Sequence, residues 1–233
     1  MRFIITILLL FPLIASGQTP IPVGIGGIEY VPNSTSTYSV VATATKEGTS
    51  TGATTSAIDA HLANFVLVGS IAYNGVPSIS DNGGHTWTTI AGCTQSNGTQ
   101  YSAFFYATGT FSSSFTVTIG AIANVHVWAM SGVSGSPVDK SANNAGTSGN
   151  PTSSSFTPTH SGEYVFSVAS GYANTSLPTV PSGWSANGLY GLSAGNNYCG
   201  GGASYLQSVS ASINPVWTIA TAEQWVCASV AIY

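Results

Sequence analysis

Phe65 to Tyr73 reads FVLVGSIAY, and Trp225 to Ile232 reads WVCASVAI. Each is a run of eight or nine residues, rich in β-branched and aromatic side chains and nearly continuous in apolar character. A run of that length is too short for a typical helix. Its lack of strict alternation predicts a strand covered on both faces. Shorter runs of the same kind recur between clusters of turn residues. Tyr38 to Lys46 alternates, with Tyr38, Val40, Ala42 and Ala44 expected on one face. Ser102 to Ala107 (SAFFYA), Phe115 to Ile119 (FTVTI), Val125 to Met130 (VHVWAM) and Tyr164 to Ala169 (YVFSVA) follow, then 203–209 and 216–220. Many short strands with turn signals between them predict a single all-β domain, a sandwich or barrel. Ser141 to Ser155 (SANNAGTSGNPTSSS) is low in complexity and is expected to be a long loop. Ser56 and Asp59 fit a capping box before Ala60 to Ala63, which leaves a short helix open beside strand or loop at 56–63. No repeat of fixed period is apparent.

The amino terminus reads as a secretory leader. Arg2 precedes the apolar run Phe3 to Ile14, and Ala15-Ser16-Gly17 supplies small residues before Gln18. A dozen apolar residues fall short of the ~20 that span a bilayer. Residues 1–17 are therefore expected to be a signal peptide, 18–37 an extended Pro/Gly-rich arm, and 38–233 the sandwich domain. A secreted, extracellular location follows, with no membrane attachment after cleavage.

From Gln18 onward there are two lysines, Lys46 and Lys140, no arginine and seven carboxylates. So little positive charge disfavours binding to nucleic acid or to anionic lipid. The surface is instead hydroxyl- and amide-rich, which suits recognition by shape and neutral groups, or self-association. Three cysteines in an oxidising compartment permit one intrachain bond. Cys93 and Cys199 lie in Gly/Asn/Ser-rich sequence and are expected to pair, leaving Cys227 as a buried free thiol.

Catalytic signals are sparse. Gly48 to Gly52 and Gly191 to Gly195 match G-x-S-x-G, but neither has a strand before and a helix after. The histidines His61, His85, His126 and His160 show no metal-ligand spacing on one element. Asp59 and His61, two apart, read as a surface hydrogen bond rather than a metal site. The acids are scattered, and nothing selects the pair that glycosidic cleavage needs. No catalytic residue, metal or cofactor is therefore assigned.

Ser80-Asp81-Asn82-Gly83-Gly84-His85-Thr86-Trp87 resembles the Asp-box turn of secreted β-proteins, with Asn82 at the aspartate position. In that motif a polar side chain bonds turn amides, a glycine takes positive φ and the tryptophan packs beneath. Several features together resemble a group of poorly characterised jelly-roll-type modules in exported bacterial proteins. They are FVLVGSIAYNG, this turn, Phe104-Phe105-Tyr106, Met130-Ser-Gly-Val, Pro137-Val-Asp139 and the terminal strand with Trp225. The resemblance covers about 55–233. It implies a two-sheet sandwich and an extracellular setting, and carries no active-site residues; the expected fold is thus an all-β, single antiparallel two-sheet β-sandwich of jelly-roll type.

The remaining handle is aromatic. Trp87, Tyr172, Trp184, Tyr190 and Tyr198 fall in or beside expected loops, with Asn196 and Asn197 close by. Such residues either anchor loops to the core or stack on a sugar with amides alongside. The expected function is a secreted, non-catalytic binding or adhesion module, with a glycan or cell-surface polymer as partner. The alternative is a self-associating subunit of a matrix, filament or surface layer, and the third reading is a glycan-active enzyme.

Overall fold

A computed structural model describes residues 38–48, 52–172, 176–191, 198–221 and 223–233. The expected leader and arm, both G-x-S-x-G serines, Asn196 and Asn197 lie outside them. The described residues are all-β, without helix. In chain order the strands are β1 (Ser39–Glu47), β2 (Ala53–Thr54), β3 (Phe65–Tyr73), β4 (Ile79–Asp81), β5 (Thr88–Thr89), β6 (Gln95–Asn97) and β7 (Gln100–Thr108). Then come β8 (Val117–Ile119), β9 (Ala123–Ser131), β10 (Val138–Gly146), β11 (Glu163–Tyr172), β12 (Ser185–Tyr190), β13 (Tyr198–Gln207) and β14 (Trp225–Ile232). Every pairing is antiparallel.

One large sheet runs β1-β9-β3-β7-β5, with β6 also on β7; the other runs β10-β14-β11-β13-β12. A small third sheet runs β2-β8-β4. Phe65, Leu67, Ile71, Phe104, Trp128 and Met130 of the first large sheet meet Phe166, Val168, Ala228, Val230 and Ile232 of the second in one shared core, a sandwich-like arrangement. Both outer faces are covered too. Val66, Val68, Phe105, Val125 and Val127 pack under the small sheet, through Val117 and Ile119. Ala169, Cys199, Ala203 and Cys227 pack under Trp217 and Ile219. Coverage on both sides is why β3 and β14 are apolar at nearly every position.

Each large sheet is drawn from one continuous half of the chain. This differs from the expected jelly roll, whose successive strands alternate between sheets. The two halves instead repeat one topology. β1, β3, β7 and β9 take the same order as β10, β11, β13 and β14, and β5 and β12 occupy the same edge. The ladder of β1 on β9 carries a bulge between Val40 and Ala42, and the ladder of β10 on β14 carries one between Val138 and Lys140. Backbone bonds recur as well. Tyr73 N donates to Ile122 O and Tyr172 N to Gln224 O; Gly120 N donates to Ser78 O and Thr218 N to Thr179 O. The bridges Ile58 to Phe115 and Phe156 to Ile213 also correspond. Register therefore equates Phe65 with Tyr164, Thr108 with Leu206, Pro77 with Pro178 and Trp87 with Trp184. The structure thus reveals an internal repeat of about 97–102 residues that the sequence conceals.

Three further expectations are corrected. Residues 141–146 belong to β10; as an edge strand it is half exposed, so its side chains are polar while β14 supplies its pairing. The bulge in β1 reverses its alternation, so that Tyr38 and Val40 face the shared core while Ala42 and Ala44 face the outer one. The Cys93–Cys199 disulfide does not form: Cys93, Cys199 and Cys227 are all free and buried. Cys93 sits in the core between the sheets, whereas Cys199 points to the outer face of β13. Burial pushes the Cys93 thiol up and raises Cys227 to about 12, so neither is a thiolate at neutral pH. A thiol reagent is expected to leave the native protein unmodified at neutral pH and to modify three cysteines once it is unfolded; rapid labelling of the native protein would contradict this burial.

Candidate functional site

The repeat supplies an internal contrast between two equivalent turns. In the first half the chain leaves Pro77 and reaches Trp87 through the Asp-box-like turn. Asp81, rather than Asn82, is the amide-binding residue. Its Oδ1 accepts the Gly83 amide at 2.6 Å and the His85 amide at 3.4 Å, and lies 2.8 Å from His85 Nδ1. Its Oδ2 accepts the Trp87 indole N–H at 2.7 Å. Asn82 ties the turn to the next segment instead, donating to Ser114 O and accepting from Thr116 N. Gly84 takes φ +71°, as the turn requires. His85 Nε2 lies 3.1 Å from Thr110 O. Both ring nitrogens face oxygens that only accept, an arrangement that favours the doubly protonated ring and raises the His85 pKa despite its partial burial. The imidazole stacks on Phe111 at 4.4 Å and meets the edge of Phe115 at 5.9 Å.

In the second half the equivalent turn, from Pro178 to Trp184, is four residues shorter. Gly183 at φ +83° turns the chain back, and Trp184 N donates to Pro181 O at 3.1 Å. No counterpart of His85 fits in so short a turn. The positions equivalent to Thr110, Phe111 and Phe115 are Ser208, Val209 and Ile213, and over them lies an open groove of about 380 Å³. One wall is aromatic: Trp184 and Tyr205 stack with centroids 5.6 Å apart and planes 22° apart. Both rings are half-buried. Ser182, Ser208 and Ser212 bring hydroxyls to the groove. Gln207 is buried; its Nε2 donates to Ala211 O at 2.6 Å, and its Oε1 has no partner among the described residues. The lining holds no charged side chain. Aromatic faces, hydroxyls and an amide can hold a neutral, hydroxyl-bearing ligand by stacking and hydrogen bonds.

The other expected site residues lie elsewhere. Trp87 anchors its own turn. Tyr172 ends β11 opposite Tyr198 and is half-buried. Tyr190 ends β12 with its ring 5.9 Å from His126. Tyr198 is fully buried, its hydroxyl donating to Ile71 O at 3.4 Å, so its ring presents no surface to a ligand. Of the described set only Trp184 lines the groove. Tyr205 and Gln207 are the residues that sequence reasoning missed; they sit on β13, two apart on one face, inside a stretch that reads only as strand. His126 is a core histidine: its Nδ1 donates to Asn187 O at 2.6 Å, and burial lowers its pKa to about 4.

No protein-family model, curated protein or solved structure matches this chain.

Proposed function

We propose that this chain is an exported, non-catalytic binding module that holds a neutral glycan against the Trp184–Tyr205 wall of the C-terminal half. One observation carries the reading. The second half leaves open, and lines with aromatic rings and hydroxyls, the place that the first half fills with its own His85. The scarcity of charge supports a neutral ligand. The leader-like amino terminus and the resemblance to exported modules support an extracellular setting. The architecture that goes with it is a two-sheet sandwich built from two like halves.

A glycan array probed with the protein, followed by titration of any binder, tests this. Trp184→Ala and Tyr205→Ala are each expected to weaken binding roughly tenfold, since one aromatic contact contributes about 1–1.5 kcal/mol. Trp87→Phe, which alters the closed turn, is expected to leave affinity unchanged. Unchanged affinity in both groove variants would defeat the proposal.

One feature favours self-association as a second reading. Leu177, Leu206, Val209 and Val216 of the second half are large apolar side chains left exposed, against Leu62 and Val76 of the first. Light scattering at high concentration is expected to show oligomers if that reading holds, and monomers otherwise.

A further inference from the structure

The turn that leads into β11 gathers three groups that the groove does not use. A carboxylate oxygen of Asp139, an imidazole nitrogen of His160 and a carboxylate oxygen of Glu163 lie within 4.8 Å of one another. Each is held by further contacts. Asp139 is the bulged residue of β10, and bulges re-aim a side chain off the ladder. Its Oδ2 accepts the Thr159 amide at 2.7 Å and its Oδ1 the Thr159 hydroxyl at 2.5 Å. The His160 ring stacks on Tyr233 with centroids 4.4 Å apart. Its Nδ1 is 2.9 Å from Glu163 Oε1, which also accepts the His160 amide at 2.7 Å.

Glu163 is fully buried, and its second oxygen, Oε2, has no partner among the described residues. Directly across the ladder stands Gln207, whose Oε1 is likewise buried without a partner. Opposed residues share a face, so Glu163 and Gln207 stand side by side on one face of the sheet, each with a buried, unpartnered acceptor. A buried acceptor without a donor costs about 1–3 kcal/mol, and neighbouring carboxylates repel.

The first half shows what the same position looks like without this arrangement. Asn64 replaces Glu163, and both ends of its amide are satisfied by the backbone of Val133, at 2.8 Å and 3.1 Å. Val41 stands at the bulge in place of Asp139. His61, the counterpart of His160, is exposed and bonds Asp59 at 2.6 Å. The acid pair and the orphaned oxygen belong to the second half alone.

We propose that Asp139, His160 and Glu163 form a binding site for a divalent metal ion of the zinc class. That class accepts one imidazole nitrogen together with carboxylate oxygens. Two carboxylates and a neutral imidazole balance its charge. To coordinate through Nδ1, His160 gives up any hydrogen it shares with Glu163, and that proton passes to solvent. The Thr159 and Tyr233 contacts hold two of the ligands in place beforehand. The proposal does not rest on glycan binding by the groove.

The full chain, stripped with chelator and dialysed, is titrated with zinc chloride by calorimetry at neutral pH, with calcium and magnesium chloride in parallel. The expected result is one equivalent of zinc bound, with a higher melting temperature and no comparable effect of calcium or magnesium. Glu163→Gln, which preserves shape, and the partly exposed Asp139→Asn are each expected to weaken zinc binding at least ~10-fold. His61→Ala is expected to leave it unchanged. No heat at millimolar zinc, preference for calcium, affinity untouched in both acid variants, or loss in His61→Ala would each overturn the site. If Glu163→Gln does not fold, Asp139→Asn decides.

Discussion

Trp128→Ala is expected to destabilise the protein by about 3–5 kcal/mol, and to lower the melting of both sheets together. Trp128 lies on β9 in the first half and is almost completely buried. Its ring packs 5.0 Å from Phe166 of the other sheet and 6.3 Å from Phe104 of its own. Its volume therefore fills the seam between the halves rather than the interior of one. The seam has little slack: a methyl group added at Gly69 would come within 2.6 Å of Val168 and 3.2 Å of the Trp128 ring. Truncation leaves a cavity that neither sheet closes alone. Thermal denaturation followed in the near and far ultraviolet is expected to show one transition, shifted down. Two separate transitions would mean that the halves are independent.

Asp81→Ala is expected to cost a comparable ~3–4 kcal/mol, because one buried carboxylate satisfies four donors. Two are backbone amides, one is the Trp87 indole and one the His85 ring. The loss depends on pH. Burial alone raises the Asp81 carboxyl, but the bonds from His85, Trp87 and the turn amides outweigh it and hold it below its ordinary value. Its contribution is complete above the unfolded carboxylate pKa near 4 and disappears as pH falls through the depressed folded value. Burial alone lowers His85, whereas Asp81 and the Thr110 carbonyl raise it on balance. Its contribution is complete below the unfolded histidine pKa near 6.5 and is lost as pH rises through the raised folded value. The difference in stability between wild type and Asp81→Ala is thus expected to peak between about pH 4 and 6.5 and to shrink above. Taking the difference cancels His126, which opposes this trend because its depressed pKa destabilises the fold in acid. A difference that is flat with pH, measured by denaturant titration, would contradict the charged His85.

How much of this was legible in the sequence depends on where each residue packs. β3 and β14 could be read directly, since covering both faces leaves an apolar run that nothing else explains. β10 was hidden because an edge strand borrows its pairing and keeps polar side chains. The repeat was hidden by exchange of size across the seam. Gly69 corresponds to Val168 and packs against it; Phe104 corresponds to Gly202, which leaves room for His126. Where one half is large the other is small, so complementary packing erases similarity. Trp87 and Trp184 looked alike as loop aromatics. What separates them is the length of the turn before each and the histidine that only the longer one carries. The Asp139, His160 and Glu163 cluster escaped because a bulge and a turn bring it together, and spacing rules for single elements see neither.

The proposed ligand groove of the second half occupies the space that the first half closes with His85. Its most direct test is a glycan titration of wild-type protein beside the double variant Trp184→Ala/Tyr205→Ala, with both shown to fold by thermal denaturation. Saturable binding by wild type and loss of about a hundredfold in the double variant is the predicted result. Equal affinity of the two folded proteins would contradict the account.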